Sequence, residues 1–330
     1  MKTRLMIKKT MTITSLAILV AAISVATTMT MVQADPTGDI VVITVPQATQ
    51  VGPTLPVDDP IEYQGEINGD ASFPISVDID NGFVSVLVPS GDPNGLIDVH
   101  IEDIDWTGLG PTEDGAIIAL SCEIEIDGAL GVPLPSAVFT RDSIWITVDT
   151  SGFLETEFDV QCTFNAVHGD LDKTETCPET APLKAVTACT ITIIYTGAPA
   201  NVRDTVPAEW GVTAITNNGA ADTCADATRG QSGKSATKIN CDDATDVNTT
   251  LDISTRASPE DTKNPNKPPK FKPTSCEPLP INDGVVATAV DGNGDPIIGT
   301  LDGLPIVIVE TGPLTPITVV DNAPFFCNDE

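Results

Sequence analysis

The sequence predicts an all-β protein of two to three β-sandwich modules, stapled by disulfides and preceded by a signal peptide. Its 330 residues include 27 Pro and 25 Gly, which interrupt helices. Thr, Val and Ile, which favour pleated strands, are abundant. Short segments alternate apolar and polar residues, and no long window after residue 35 shows helical apolar spacing without Pro or Gly. These observations together favour strands over helices throughout the chain.

Residues 1–34 are typical of a secretory signal peptide. Four basic residues precede an apolar run at about 13–25, which is too short to span a bilayer. Residues 32–34 then offer small side chains at a cleavage site. The alternative is an uncleaved membrane anchor. We expect a protein that is secreted or held at the cell surface, with no integral membrane segment after cleavage.

Alternation predicts the strands in order. Ile75, Val77 and Ile79 share one face of a first strand, and Asn81-Gly82 supplies the tight turn before a second strand at 83–88. Further strands are predicted at 96–101, 122–126, 143–148 and 158–164. Their spacing, with Gly, Pro and Asn at the joints, matches a β-sandwich.

The length favours several modules, because about 300 residues exceed one sandwich. Asp170–Glu175 lack strand alternation and indicate a linker, and a Pro-rich stretch indicates a second one. The predicted organisation is a signal peptide (1–34), an extended lead-in (35–60), an acidic β-sandwich domain (61–169), a linker (170–182), a second β domain (183–257), a Lys/Pro-rich linker (258–275) and a C-terminal β segment (276–330).

The second domain carries a family resemblance. An alternating strand at 189–195 is followed by Tyr195-Thr196-Gly197 and by Val202-Arg203-Asp204-Thr205-Val206-Pro207. This text resembles the immunoglobulin-like surface repeat of unknown function found in exported bacterial and archaeal proteins, over residues of about 185–256. The resemblance implies a seven-strand, Ig-like sandwich module in a cell-surface protein, and it implies no catalytic residues.

Acidic residues dominate the first part of the exported chain. Residues 35–140 contain 19 Asp and Glu but no Lys or Arg, and the whole chain has a formal net charge of −31. Such a surface repels nucleic acid and anionic lipid. We expect these carboxylates to face water, to bind metal ions or to contact a basic partner, although solubility alone also explains an acidic surface.

Calcium is the one candidate cofactor. Asp291, Asn293 and Asp295 place oxygen donors at alternate positions, as the start of a calcium loop does. The sixth position is Pro296 and the twelfth is Asp302, which excludes a helix-loop-helix site. A hairpin turn between two strands explains the same residues, so both interpretations stay open.

Eight cysteines, an even number, follow the predicted signal peptide and indicate disulfides in an oxidising compartment. A zinc site is disfavoured because no two cysteines have a C-x₂-C spacing. The suggested pairs are Cys122 with Cys162 across neighbouring strands, Cys224 with Cys241 closing a polar loop, Cys276 with Cys327 tying the tail, and Cys177 with Cys189.

A cationic segment contrasts with the acidic chain. Residues 258–275 carry lysines among prolines, on a polyproline-like extended rod. It is either a solvated linker or a strap that docks on acidic surface, within one molecule or between molecules. The candidate interaction residues are Lys263, Lys267, Lys270 and Lys272.

Catalysis finds little support in the sequence. Nucleophilic hydrolysis by Ser or Cys needs an imidazole base, and the chain has only His100 and His168. We therefore expect no enzyme. The predicted function is a secreted or cell-surface structural or adhesive protein that is cation-dependent and associates with itself or with a surface partner. The alternatives are an extracellular glycan- or peptide-binding module, using loops at one end of a sandwich, and a secreted hydrolase.

Overall fold

The computed structural model describes residues 41–51, 62–67, 70–71, 74–80, 82–88, 96–104, 106, 112–126, 129–133, 136–149, 158–182, 185–218, 224–228, 236–256, 278–281 and 284–320. Within these ranges the chain forms twenty strands and no helix, so the all-β prediction is confirmed. The predicted signal peptide, the Lys/Pro-rich linker with its four lysines, Cys276 and Cys327 lie outside the described residues.

The strands vary from two to twenty-one residues in length. In chain order they are β1 (Val42–Thr44), β2 (Ala48–Gln50), β3 (Tyr63–Ile67), β4 (Pro74–Asp80), β5 (Phe83–Val88), β6 (Leu96–Glu102), β7 (Glu113–Ile126), β8 (Ala129–Pro133), β9 (Ala137–Phe139), β10 (Ile144–Asp149), β11 (Phe158–Thr176), β12 (Thr180–Pro182), β13 (Val186–Val206), β14 (Gly211–Asn217), β15 (Cys224–Thr228), β16 (Thr237–Arg256), β17 (Pro278–Leu279), β18 (Val286–Ala289), β19 (Val307–Glu310) and β20 (Ile317–Val320).

The described strands form three sheets. A four-stranded antiparallel sheet has the order β1-β6-β10-β9. A 13-stranded sheet has the path β14-β16-β13-β11-β5-β4-β3-β2, with β7 and β8 attached to β11, β15 to β16, and β18 and β19 to β13. The third sheet has the order β12-β20-β17. The buried apolar residues of all three sheets pack into one hydrophobic core.

The predicted hairpin is present as β4 and β5. Ile75, Val77 and Ile79 are buried, whereas the residues between them are partly exposed. Gly82 has a φ of 74°, the left-handed conformation that the tight turn requires. The pairs Val77–Val86 and Ile79–Val84 lie opposite each other and bring their side chains into the core.

The prediction that residues 170–176 belong to a linker is wrong, because they form the second half of β11. This strand pairs with β5 and β7 through its first half and with β13 through its second half. Leu171 and Lys173 point inward and are buried. The sequence of this segment shows no apolar–polar alternation, because its inward position 173 is occupied by a lysine and not by an apolar residue. Strand β11 thus connects the two predicted β domains within one sheet.

Strand β13 bends sharply between its two halves. Its pairing with β16 is irregular between Thr196 and Ala200, where β13 uses more residues than its partner. Gly197 lies at this corner with a φ of 145°. A Cβ atom there would lie 2.6 Å from the Gly169 Cα atom, so only glycine allows β11 and β13 to approach this closely. The second half of β13 then pairs with β16 and β18.

The C-terminal segment packs on both large sheets. Strand β18 pairs with β13 of the 13-stranded sheet. Farther along, the Phe139 N–H donates to Thr300 Oγ1 at 3.0 Å, and the Leu301 N–H donates to the Phe139 carbonyl at 3.1 Å. These bonds fix residues 300–301 against β9 at the edge of the four-stranded sheet. This contact forms part of one wall of a groove.

Candidate functional site

Two aromatic side chains stack on the outer face of the four-stranded sheet. In β6, Ile97, Val99 and Ile101 point into the core, so His100 lies on the opposite face. Trp145 of β10 lies directly across from His100. Their ring centroids are 4.3 Å apart and the rings are inclined by 10°. The pair forms a flat aromatic platform beside a groove.

The groove lies between β10 and the C-terminal segment and has a volume of about 480 Å³. One wall comes from the β9–β10 turn and the other from residues 301–307. The lining residues are Glu102, Thr140, Arg141, Asp142, Ser143, Trp145, Leu301, Asp302, Leu304, Pro305, Ile306 and Val307. The walls are more than 150 positions apart in sequence, so local spacing gave no signal for this groove.

The polar side chains of the groove are held in place by hydrogen bonds. The Arg141 guanidinium donates to the Asp114 carboxylate and, from Nε, to the Gly115 carbonyl at 3.2 Å. The Asp142 Oδ1 atom accepts from Ser143 Oγ at 2.9 Å, and the Asp302 Oδ1 atom accepts from the Leu304 N–H at 2.9 Å. The groove therefore presents fixed acceptors and one ordered guanidinium.

The groove combines an aromatic ring, apolar surface and carboxylates. Leu304 is 60% exposed, which is unusual for a leucine in a concave surface. Trp145 Nε1 is buried from solvent and has no hydrogen-bond acceptor among the described residues. Aromatic faces with adjacent carboxylates suit uncharged polar ligands such as sugars, or peptides with basic groups. The Ser143 hydroxyl donates a hydrogen bond to Asp142.

The turn at 291–295 holds the three calcium candidates. The Asp291 Oδ1 atom accepts from the N–H groups of Asn293 at 2.9 Å and Asp295 at 3.0 Å, and Asn293 Nδ2 donates to Asp291 Oδ2 at 3.2 Å. These backbone hydrogen bonds lower the pKa of Asp291 below its usual value. In the described residues no group of three His, Cys, Asp or Glu side chains could hold a metal. Asp291 therefore caps a hairpin turn, and calcium remains a prediction.

Six of the eight cysteines form three disulfides, as the sequence suggested: Cys122–Cys162, Cys177–Cys189 and Cys224–Cys241. Two of them join residues directly opposite each other on neighbouring strands, β7 with β11 and β15 with β16. The third joins the end of β11 to β13. Since disulfides persist in oxidising compartments, these bonds indicate an extracellular or cell-surface protein.

Several carboxylates of the Lys-free stretch have partners within the protein. Asp114 pairs with Arg141, the first basic residue after the stretch. Asp98 accepts from Gln47 Nε2 at 3.1 Å and from Thr147 Oγ1 at 2.8 Å. The Glu62 Oε2 atom accepts from the Ile79 N–H at 2.6 Å in the core. The expectation that the acids could only meet water, metal ions or a separate partner is therefore wrong for these three.

The pattern of apolar and polar residues did not predict a buried ion pair in the core. Lys173 Nζ lies 3.2 Å from Asp204 Oδ1, and the two side chains are 1% and 0% exposed. Glu175, two residues along β11 and on the same face, has an Oε2 atom without a hydrogen-bond partner. Burial raises the pKa of Glu175, and the nearby charge of Lys173 partly offsets this. A lysine at a core position of an alternating strand is the sequence signal that would have revealed the pair.

No family model matches this chain, and no curated protein matches it. Among solved structures, it is similar to the N-terminal domain of the Streptococcus gordonii adhesin Sgo0707. The identity is 11% and the TM-score is 0.28, with coverage of 82% of this chain and 81% of that one. The resemblance to the immunoglobulin-like surface repeat thus rests on the sequence motif alone.

No helix in the described ranges is long and apolar enough to cross a bilayer. The described residues form an all-β, disulfide-bonded structure. Its three sheets are antiparallel apart from the parallel pairing of β12 with β20.

Proposed function

We propose that this chain is a non-catalytic structural or adhesive protein, secreted or held at a cell surface. The observation that supports this is the covalent clamping of β11, the central strand of the large sheet. Cys162, near its start, is bonded to β7 on one edge, and Cys177, just after its end, is bonded to β13 on the other edge. A sheet linked in this way resists separation of its strands under tension.

The proposal includes two finer points. Residues 183–257 act as an Ig-like surface module next to the acidic domain at 61–169. The net charge of −31 is screened by cations, calcium among them, or contacted by the lysines of residues 258–275, which lie outside the described residues. Contacts of that kind between molecules would produce assembly.

Sedimentation velocity of the full chain tests this assembly. We expect the sedimentation coefficient to rise with protein concentration, and to rise further with calcium. Replacing Lys263, Lys267, Lys270 and Lys272 with Gln should abolish the increase. Lys238→Gln, an exposed lysine on β16, is the control and should leave it unchanged. A monomer under every condition would contradict the self-association.

The groove beside Trp145 favours a second candidate function, the binding of a glycan or peptide. The supporting observation is the Trp145–His100 platform next to fixed carboxylates. Binding of the full chain to glycan and peptide arrays tests it, with Trp145→Ala expected to lose at least about tenfold in affinity. The control is Leu96→Ala, which removes an exposed strand side chain outside the groove. This variant should bind as the wild type does. Equal binding by both variants would contradict a role for the groove.

A further inference from the structure

We propose that Lys173 and Asp204 form an intramolecular amide bond, which joins β11 to β13 inside the core. The pair is 3.2 Å apart between Nζ and Oδ1 and almost completely shielded from water. This cross-link would be a modification made by the protein on itself. It would add a covalent link at the same end of β11 that the Cys177–Cys189 disulfide already secures.

The bend in β13 creates this contact. Lys173 lies opposite Ile193 in the pairing of β11 with β13, and Asp204 follows Ile193 by eleven residues. In a straight strand that separation would be about 36 Å. The corner at Gly197 instead turns the second half of β13 back, so that Asp204 reaches the inner face of β11. The fold therefore positions two reactive groups that are distant along both strands.

The surroundings favour condensation over a lasting ion pair. Removing both charges from water is expensive, and the attraction between them repays this cost only in part. A neutral amide removes that penalty. Two groups fixed in contact also react with effective molarities of about 10⁵–10⁸ M when well aligned. The Asp204 Oδ1 atom accepts a second hydrogen bond, from the Thr205 N–H at 2.8 Å, which restricts the carboxylate further.

The reaction balances without any other reactant. The Lys173 ammonium loses a proton, and the Nζ lone pair attacks Asp204 Cγ to form the new C–N bond. One C–O bond of the carboxyl group then breaks. The departing oxygen takes up two of the three ammonium protons and leaves as water. The product is a secondary amide, and nothing is oxidised or reduced.

Glu175 is the group placed to move these protons. It is on the same face of β11 as Lys173, and its Oε2 atom has no hydrogen-bond partner. Because burial raises the pKa of Glu175, its protonated form is more accessible than that of an ordinary carboxyl group. Glu175 would accept a proton from the attacking nitrogen and deliver one to the departing oxygen.

Mass spectrometry of the full chain tests the proposal. After reduction and unfolding, the protein should be lighter than its sequence by the mass of one water. Trypsin should leave the bond after Lys173 uncut and release one branched peptide that contains Lys173 and Asp204. If the mass is that of the sequence and trypsin cleaves after Lys173, the pair is only an ion pair and the proposal is overturned.

Variants assign the roles. The Lys173→Arg and Asp204→Ala variants should have the full masses of their sequences, with no water lost, and should give no branched peptide. Glu175→Gln keeps both reacting groups and should lose most of the cross-link, whereas Glu175→Asp should recover part of it. Asp172→Asn, a neighbour on the opposite face of β11, is the matched control and should cross-link fully. Full cross-linking in a folded Glu175→Gln protein would remove Glu175 from the mechanism.

Discussion

At the scale of single residues, the corner of β13 depends on two glycines, Gly169 and Gly197, and on Tyr195. Gly197 and Gly169 meet backbone to backbone, and a Cβ atom on Gly169 would lie 2.7 Å from the Tyr195 ring. The Tyr195 hydroxyl donates to the Ala198 carbonyl across the bend. Two glycines and one tyrosine therefore decide where β13 turns, and with it where Asp204 lies.

Gly197→Ala should destabilise the protein. The φ of 145° suits only glycine, and the new methyl group would collide with Gly169 and with the His168 carbonyl, 2.6 Å away. We expect a loss of about 2 kcal/mol or more in the free energy of unfolding, measured by urea denaturation. Gly292→Ala is the control, since no atom lies within 4 Å of its Cβ position, and it should change stability by less than about 0.5 kcal/mol. Equal effects would contradict the tight corner.

Tyr195→Phe should show a pH-dependent cost. Near pH 8 the lost hydrogen bond should cost about 1 kcal/mol. Burial raises the pKa of Tyr195 above 10.0, so above about pH 10 the unfolded chain loses the phenolic proton while the folded protein keeps it. The free energy of unfolding of the wild type therefore falls as the pH rises beyond that value. The Tyr195→Phe variant lacks this loss, because phenylalanine has no phenolic proton. Urea midpoints at both pH values should show the gap narrowing; a constant gap would contradict the burial of the hydroxyl.

At the scale of elements, β11 organises the fold. It pairs with β5, β7 and β13, and disulfides secure it near both ends. Its neighbours on the two edges come from different parts of the chain. The strand therefore acts as the common member of both predicted domains and passes through the predicted linker.

The disulfides should contribute unequally to the free energy of unfolding, according to the length of the loop that each one closes. Cys122 and Cys162 are 40 residues apart, whereas Cys177 and Cys189 are 12 apart. In the chain-entropy model each bond contributes about 2–4 kcal/mol, and the longer loop contributes about 1 kcal/mol more. Replacing each pair by two alanines should therefore lower the melting midpoint more for Cys122–Cys162. The reverse order, measured by calorimetry, would contradict the entropic account.

The sequence predicted elements well where the pattern is local. The β4–β5 hairpin and the alternation of Ile191, Ile193 and Tyr195 in β13 are confirmed, because burial on one face imposes a period of two. The second half of β11 was missed because the core lysine breaks that period. The groove beside Trp145 was missed because its walls meet only in three dimensions. Pairing between distant strands leaves no periodic trace in the sequence.

At the scale of the whole molecule, charge is the dominant property. A net charge of −31 on 330 residues produces self-repulsion that salt reduces. The ion pairs that offset it within the described residues include Arg141–Asp114, Arg203–Asp242 and the buried Lys173–Asp204. Stability should therefore depend strongly on the ions in solution.

Thermal melts should separate general screening from calcium binding. We expect the melting midpoint to rise from low to physiological sodium chloride, and to rise further with calcium at the same ionic strength. A chelator should reverse only the calcium increment. Asp291→Ala tests whether the calcium increment in the melting midpoint depends on the turn at 291–295. Its control is Asp246→Ala, which replaces an exposed acid on β16. Coinciding melts with and without chelator would contradict the calcium prediction.

The docking of the C-terminal segment also sets the order in which the molecule can be completed during synthesis. Phe139 and Thr300, which share a hydrogen bond, are 161 positions apart. Strand β13 likewise pairs with β18, which is synthesised much later. Such distant pairings form slowly. The N-terminal sheet of a growing polypeptide would lack its last edge contacts until nearly the whole chain had left the ribosome. This edge of the sheet would therefore be completed only after the C-terminal segment has been synthesised.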